Sequence, residues 1–118
     1  MQKKAGLHFN INSDVDILNI NSPRQRVKGP WCVIARGNKR WVMVALDWDK
    51  KPSIGIRWFY GNSGTPISSS YATWLIIPEE LQTTIVIGVN LPIHRQEAVQ
   101  RYLRSEITGE ELCKIFNN

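Results

Sequence analysis

The sequence predicts an α+β domain: a strongly bent antiparallel sheet, or a small open β-barrel, of about five to seven strands with a C-terminal pair of helices. Short runs of alternating apolar and polar residues, separated by Gly, Pro and Asn, fill the first two thirds of the chain. From Pro92 the apolar spacing becomes that of a helix. The length of 118 residues is typical of one domain, so we expect a single unit spanning 1–118.

The N-terminal region predicts strands followed by a basic loop. Apolar and polar residues alternate over 7–11 and again over 14–17, which favours one or two half-buried strands. Residues 21–30 contain two prolines and a glycine that disfavour regular structure. We therefore expect a mobile surface loop that carries three cations, Arg24, Arg26 and Lys28.

The next segment predicts a three-stranded meander. Two apolar runs, 31–36 and 39–46, flank Gly37-Asn38, a pair typical of a two-residue hairpin loop. In that register Ile34 lies opposite Trp41, and Val33 lies opposite Val42. A turn over 49–52 then returns the chain through 54–60, with Arg57 and Phe59 on the opposite side, so the predicted core face carries Trp31, Val33, Ala35, Val42, Val44, Leu46, Trp48, Ile54, Ile56, Trp58 and Tyr60.

The second half mixes loop, strand and helix signals. Residues 61–70 are rich in Gly, Ser and Pro and predict an exposed loop, 71–77 a strand, 79–81 one helical turn, and the β-branched run 83–89 a buried strand. A helix from Pro92 to about Arg104 has its apolar stripe at Ala98, Val99, Tyr102 and Leu103. Residues 108–111 form a capping-box pattern for a last short helix. Its apolar residues are too few to stabilise it alone, so they must bury against the sheet or a second copy, which leaves a homodimer possible.

The charge of the chain is concentrated in its first half. The net charge is +5, but residues 1–60 hold eleven Lys and Arg against four Asp, a net +7, whereas residues 61–118 hold four against six Glu, a net −2. Such a bias suits an anionic partner, with nucleic acid first and an acidic protein second. Solubility alone is the other explanation of this charge.

The predicted binding site is the sheet face that carries Trp41. Aromatic rings that stack on bases, beside cations that follow phosphates, are typical of single-strand binders. The alternative is that the C-terminal helices cover this face and that Trp41 is their packing partner. The predicted site comprises Arg36, Lys39, Arg40, Trp41, Arg57 and Phe59.

The sequence contains weaker signals for chemistry. Asp49-Lys50-Lys51 matches the acid-x-Lys element of metal-dependent nucleases, with Asp14 or Asp16 as an upstream ligand, but its position before Pro52 favours a charged turn. His8 and His94 have no partner at metal or triad spacing. We therefore predict a binding module rather than an enzyme, with no catalytic residue, metal or cofactor.

Cysteine usage and the chain start favour a cytosolic protein. Cys32 and Cys113 are far apart in sequence and favour buried, reduced thiols over a disulfide. No run approaches the roughly 20 apolar residues of a membrane span. Met1-Gln2-Lys3-Lys4 is not followed by the apolar core of a signal peptide.

Two segments carry a resemblance. Residues 55–59 (GIRWF) and 74–81 (WLIIPEEL) resemble parts of small uncharacterised bacterial proteins found among accessory and mobile genes, such as integron cassettes. The resemblance implies a bacterial accessory protein, and it leaves open an interaction or inhibitor module of a mobile element. It implies no activity, ligand or residue role.

Overall fold

The computed structural model describes residues 10–60, 64–68 and 70–118. Over these residues four helices and six strands follow in the order α1 Asp14–Leu18, β1 Val27–Arg36, β2 Trp41–Trp48, β3 Lys51–Trp58, β4 Ile67–Ser68, β5 Tyr71–Ala72, β6 Leu75–Ile76, α2 Glu79–Gly88, α3 Ile93–Leu103 and α4 Gly109–Phe116. Strands β1, β2, β3 and β6 form, in that order, a bent antiparallel sheet, and β4 pairs with β5. The α+β class and the bent sheet are confirmed, and the sheet is open rather than closed into a barrel.

Apolar side chains bury both faces of the four-stranded sheet. The helix face packs against α2, α3 and α4, and its central residues are Cys32, Ile34, Met43, Ala45 and Ile54. The far face packs Val42, Val44 and Leu46 against α1 and against Phe59, Ala72 and Trp74. The sheet is therefore a central layer between two apolar clusters.

The β1–β2 hairpin forms, but its predicted register is wrong. The loop has four residues, 37–40: the Gly37 amide donates to the Trp41 carbonyl at 2.9 Å, and Arg40 N donates to Gly37 O at 3.2 Å. Val33 therefore lies opposite Val44, and a shift of two residues keeps it on its predicted face. Trp31 and Ala35 were predicted on the same face as Val33. Irregularities in β1 after Lys28 and after Val33 place them on the helix face instead.

The N-terminal predictions are partly wrong. Residues 14–18 form α1 rather than a strand, since Ser13 caps the helix by accepting from Asp16 N at 3.2 Å. Residues 7–9 lie outside the described residues. The predicted loop 21–30 ends early, because β1 begins at Val27 and includes Lys28.

Residues 83–89 were predicted as a buried strand, but 83–88 belong to α2 and Val89 is its C-cap. Two acids, Glu79 and Glu80, occupy its first turn after Pro78, where they stabilise the positive end of the helix. Gln82 and Val86, one turn apart, are its buried residues. Packing of this narrow stripe against the core outweighed the strand preference of the β-branched residues.

The two C-terminal helices are confirmed. Helix α3 buries Ala98, Val99 and Tyr102, and α4 begins with the complete capping box between Thr108 and Glu111. Leu112 is buried against the sheet of its own chain, so the described fold places α4 without a second copy.

Residues 61–70 are only partly the exposed loop that we predicted. Trp58 and Thr65 exchange two backbone hydrogen bonds of 2.8 Å, and 67–68 form β4. Residues 61–63 and 69 lie outside the described residues. The predicted strand over 71–77 is divided into β5 and β6. No helix within the described part of the chain has the length and apolar run that a membrane crossing needs.

Candidate nucleic-acid interface

The predicted binding residues do not share one face. Arg57 lies opposite Val42 and Trp58 lies opposite Trp41, in a register that begins at the two-residue β2–β3 turn, Asp49 and Lys50. Residues directly opposite in an antiparallel sheet project to the same side. Arg57 therefore shares the far face with Val42, and the expected grouping of Arg57 with Trp41 is wrong.

Arg57 is a buried structural residue rather than a surface cation. Its side chain is fully buried, and Nη1 donates to the carbonyl oxygens of Thr73 at 2.7 Å and Pro66 at 2.9 Å. Its guanidinium lies 5.1 Å from the centre of the Phe59 ring, which is itself buried. Burial lowers the pKa of Arg57 to about 10. These contacts fasten the segment after β3 to the sheet.

Of the remaining predicted residues, Phe59 is buried in the far face, and Lys39, Arg40 and Trp41 lie at the loop end of the β1–β2 hairpin. Lys39 and Arg40 are exposed in the four-residue loop, and Arg40 adopts a positive φ of 62°. Arg40 Nε donates to the carbonyl of Phe59, which places its guanidinium beside the end of β3. Trp41 is half-buried and packs against the helix-face core.

Gly37 lets the Trp41 ring lie over this loop. A Cβ atom at position 37 would come within 1.8 Å of Trp41 Nε1, so only glycine leaves room for the indole. Trp58, directly opposite Trp41 on β3, is also half-buried, and Tyr60 is 54% exposed. We call this set the hairpin-end surface, and it comprises Lys39, Arg40, Trp41, Trp58 and Tyr60.

Arg36 is held by the N-terminal segment. Its Nε donates to the Ile11 carbonyl at 2.8 Å, and its Nη2 bonds to the Asp14 carboxylate. The ion pair neutralises Arg36 locally, so it adds less to the hairpin-end surface than the sequence suggested.

A second basic group lies at the opposite end of the sheet. Lys28 and the turn residue Lys50 line a cleft of about 410 Å³ together with Glu106, Glu110 and Glu111. Asp49 accepts from Arg26 at 2.6 Å, and the Arg26 guanidinium lies 5.9 Å from the centre of the Trp48 ring. Because acids face these cations, this end is the weaker candidate for an anion site.

One buried polar network was missed by the sequence reasoning. The Tyr102 hydroxyl lies 2.6 Å from both Leu46 O and Asp47 Oδ1, and Trp31 Nε1 donates to the same Asp47 oxygen at 3.1 Å. Burial, with the neighbouring Asp47, raises the pKa of Tyr102. The three side chains join α3 to the sheet. No local sequence signal connects them, because they lie on three separate elements.

The geometry is unfavourable for the nuclease alternative. Asp49 and Lys51 line a cleft of about 560 Å³ with Glu79. Asp14, the proposed upstream ligand, lies beside Arg36, which is at the far end of the ten-residue strand β1, roughly 30 Å away. Among the described residues, no three His, Cys, Asp or Glu side chains are grouped to hold a metal ion.

The two thiols lie near one another although they are distant in sequence. Cys32 and Cys113 line the same cavity of about 280 Å³ between β1 and α4. Cys32 is buried, and desolvation raises its pKa to about 12, whereas Cys113 is half-buried and its sulfur accepts from Asn117 Nδ2 at 3.3 Å. The buried thiol is therefore a poor nucleophile.

Comparisons of the chain with protein-family models, with curated proteins and with solved structures found no match.

Proposed function

We propose that this protein is a non-catalytic binding module for an anionic partner in the cytosol, and that the partner is nucleic acid bound at the hairpin-end surface. One observation carries the proposal: the exposed cations Lys39 and Arg40 directly precede Trp41, which pairs with Trp58, and Arg40 exchanges hydrogen bonds with Phe59, the chain neighbour of the exposed Tyr60. Cations that meet phosphates beside rings that stack on bases are the two components of a single-strand site.

The proposed site lies at the end of the sheet rather than on one of its faces. Both sheet faces are covered by apolar packing, so bases reach the rings only at the sheet end. We therefore expect a short contact with a few unpaired nucleotides and a preference for single strands over duplex. Tyr60, the most exposed ring of the group, is expected to contribute the most stacking.

A fluorescence anisotropy titration at low salt tests the proposal, with labelled single-stranded DNA, single-stranded RNA and duplex as probes. Replacing Lys39 and Arg40 together with Ala should flatten the dependence of log K on log salt by about 1.4, since each lost phosphate contact is worth about 0.7 on a single strand. Tyr60→Ala should weaken binding by 1 to 3 kcal/mol, about 5- to 150-fold.

Lys114→Ala is the matched control for the loss of one charge, because Lys114 is exposed on α4. It should leave affinity nearly unchanged, whereas Lys39→Ala should lower it. Absence of binding to every probe at low salt would discard nucleic acid in favour of an acidic protein partner. Equal losses in the two single variants would show that net charge, and not the hairpin-end surface, determines binding.

The interaction or inhibitor module of a mobile element remains the alternative function. This alternative follows from the sequence resemblance, and it predicts that a protein partner binds Lys39 and Arg40. Membership of the accessory proteins of integron cassettes likewise stays a prediction.

A further inference from the structure

The outward side of α2 has the composition of an interface. The chain contains no charged side chain between Glu80 and His94. Within α2, Leu81 and Ile87 are 49% and 55% exposed, whereas Gln82 and Val86 are buried and Ile85 packs against the core. Charge depletion around exposed apolar side chains is typical of the centre of a protein interface and untypical of a solvated helix.

Thr83 and Ile87 of α2 form one wall of a groove, and α3 forms the other, whereas Leu81 lies outside the groove. The groove measures about 510 Å³. Thr83 and Gln100 join the walls, with Thr83 Oγ1 and Gln100 Oε1 3.2 Å apart. Since the short connection between α2 and α3 makes them antiparallel neighbours, Ile87 lies one turn beyond Thr83, level with Gln96. The exposed Ile87 side chain therefore lies at the end of the groove nearest the N-terminus of α3.

Two of the three charges that line the groove, Glu97 and Arg101, are self-complementary, and the third, Arg104, bonds to Glu106 of its own chain at 2.6 Å. Glu97 and Arg101 are both exposed and lie one turn apart on α3, with the acid towards its N-terminus. The Arg101 Nε lies 3.7 Å from Glu106 Oε1 of its own chain, which is a long contact, and the Arg101 side chain is 51% exposed. Arg101 therefore keeps N–H donors for a further acceptor. A two-fold axis halfway between positions 97 and 101 would bring each Glu97 to the Arg101 of the other copy.

We propose that the α2–α3 groove binds a second copy of this chain in an isologous dimer. Two copies of α3 cross antiparallel at the axis, Ile87 from each copy packs within about one turn of it, and two symmetric Glu97–Arg101 pairs flank the apolar centre. The charge pattern favours a second copy over an unrelated partner, because the acid and the base that the interface needs are both on one helix. This dimer is independent of the nucleic-acid site, which lies at the hairpin end of the sheet.

Sedimentation velocity or light scattering over a wide concentration range tests the proposal. We expect a monomer–dimer equilibrium in the wild-type chain. Glu97→Lys and Arg101→Glu should each weaken association at least about tenfold, because each places like charges across the axis. The double variant, which exchanges acid and base, should restore association to within a few-fold of wild type.

Ile87→Lys should abolish the dimer, and Leu75→Lys is its control, because Leu75 is a comparably exposed residue, 48%, on β6. Circular dichroism melting confirms that each variant folds. A wild-type chain that stays monomeric up to ~1 mM would overturn the proposal. The proposal would equally be overturned by a dimer that persists in Ile87→Lys, or by a double variant that associates no more tightly than either single variant. Either result would assign the dimer to another surface.

Discussion

The first turn of α4 offers a sharp test of the packing, at Gly109. The Trp31 indole lies directly over this glycine: a Cβ atom there would come within 2.2 Å of Cε2 and 2.3 Å of Nε1. Trp31 has little freedom to move aside, because its Nε1 donates to Asp47, which also bonds to Tyr102. Gly109→Ala therefore forces the indole or the start of α4 to shift.

Two effects of this one methyl group oppose each other. Alanine is the better helix former, by at most about 1 kcal/mol and by less at the first helical position. Overpacking a filled site costs about 1 to 3 kcal/mol. The packing cost prevails, so we expect Gly109→Ala to lower the free energy of unfolding by about 1 to 2 kcal/mol. In a chain of 118 residues this corresponds to a Tm lower by about 4 to 8 °C.

Urea unfolding followed by tryptophan fluorescence measures the change, at a dilution where the chain is monomeric. Gly88→Ala is the matched control, since a Cβ atom at position 88, also in a helix, would meet nothing within 4 Å. It should leave the chain as stable as before or more stable, by up to about 1 kcal/mol. A Gly109→Ala variant as stable as the wild type would refute the close Trp31–Gly109 contact.

Deleting residues 108 to 118 should lower the Tm strongly, because it removes Leu112 and its apolar neighbours, worth about 1.5 to 3 kcal/mol for each fully buried side chain; a truncated chain with an unchanged Tm and an unchanged oligomeric state in scattering would make α4 dispensable. The contribution of Cys32 to stability is fully present below its unfolded pKa near 9 and is lost as the pH rises towards 12. Raising the pH from 7 to 10 should therefore lower the free energy of unfolding by about 1 kcal/mol more in wild type than in Cys32→Ala. The raised pKa of Tyr102 adds a loss of stability that is common to both proteins. Incubation with plasmid and Mg²⁺ or Mn²⁺ should give no cleavage, and cleavage that Asp49→Ala abolished would instead support the nuclease alternative.

Local signals were sufficient for the elements that depend on local interactions. The capping box at Thr108 and the apolar stripe of α3 predicted both C-terminal helices, because a cap and a 3.6-residue period act within a few residues. The meander was predictable for the same reason, since each hairpin joins neighbouring strands. Local preference misled at α2, where β-branched residues favoured a strand and packing of Val86 made a helix.

The amino-acid sequence by itself determined the α+β class, the concentration of cations in the first sixty residues and the supply of rings beside them. Only the tertiary structure decided where those side chains lie. Strand register decides which side chains share a face, and the pairing of β2 with β3 placed Arg57 opposite Val42, inside the protein, and Trp58 opposite Trp41. The groove of α2 and α3 likewise exists only after folding, because its walls come from two helices that the sequence pattern alone did not pair.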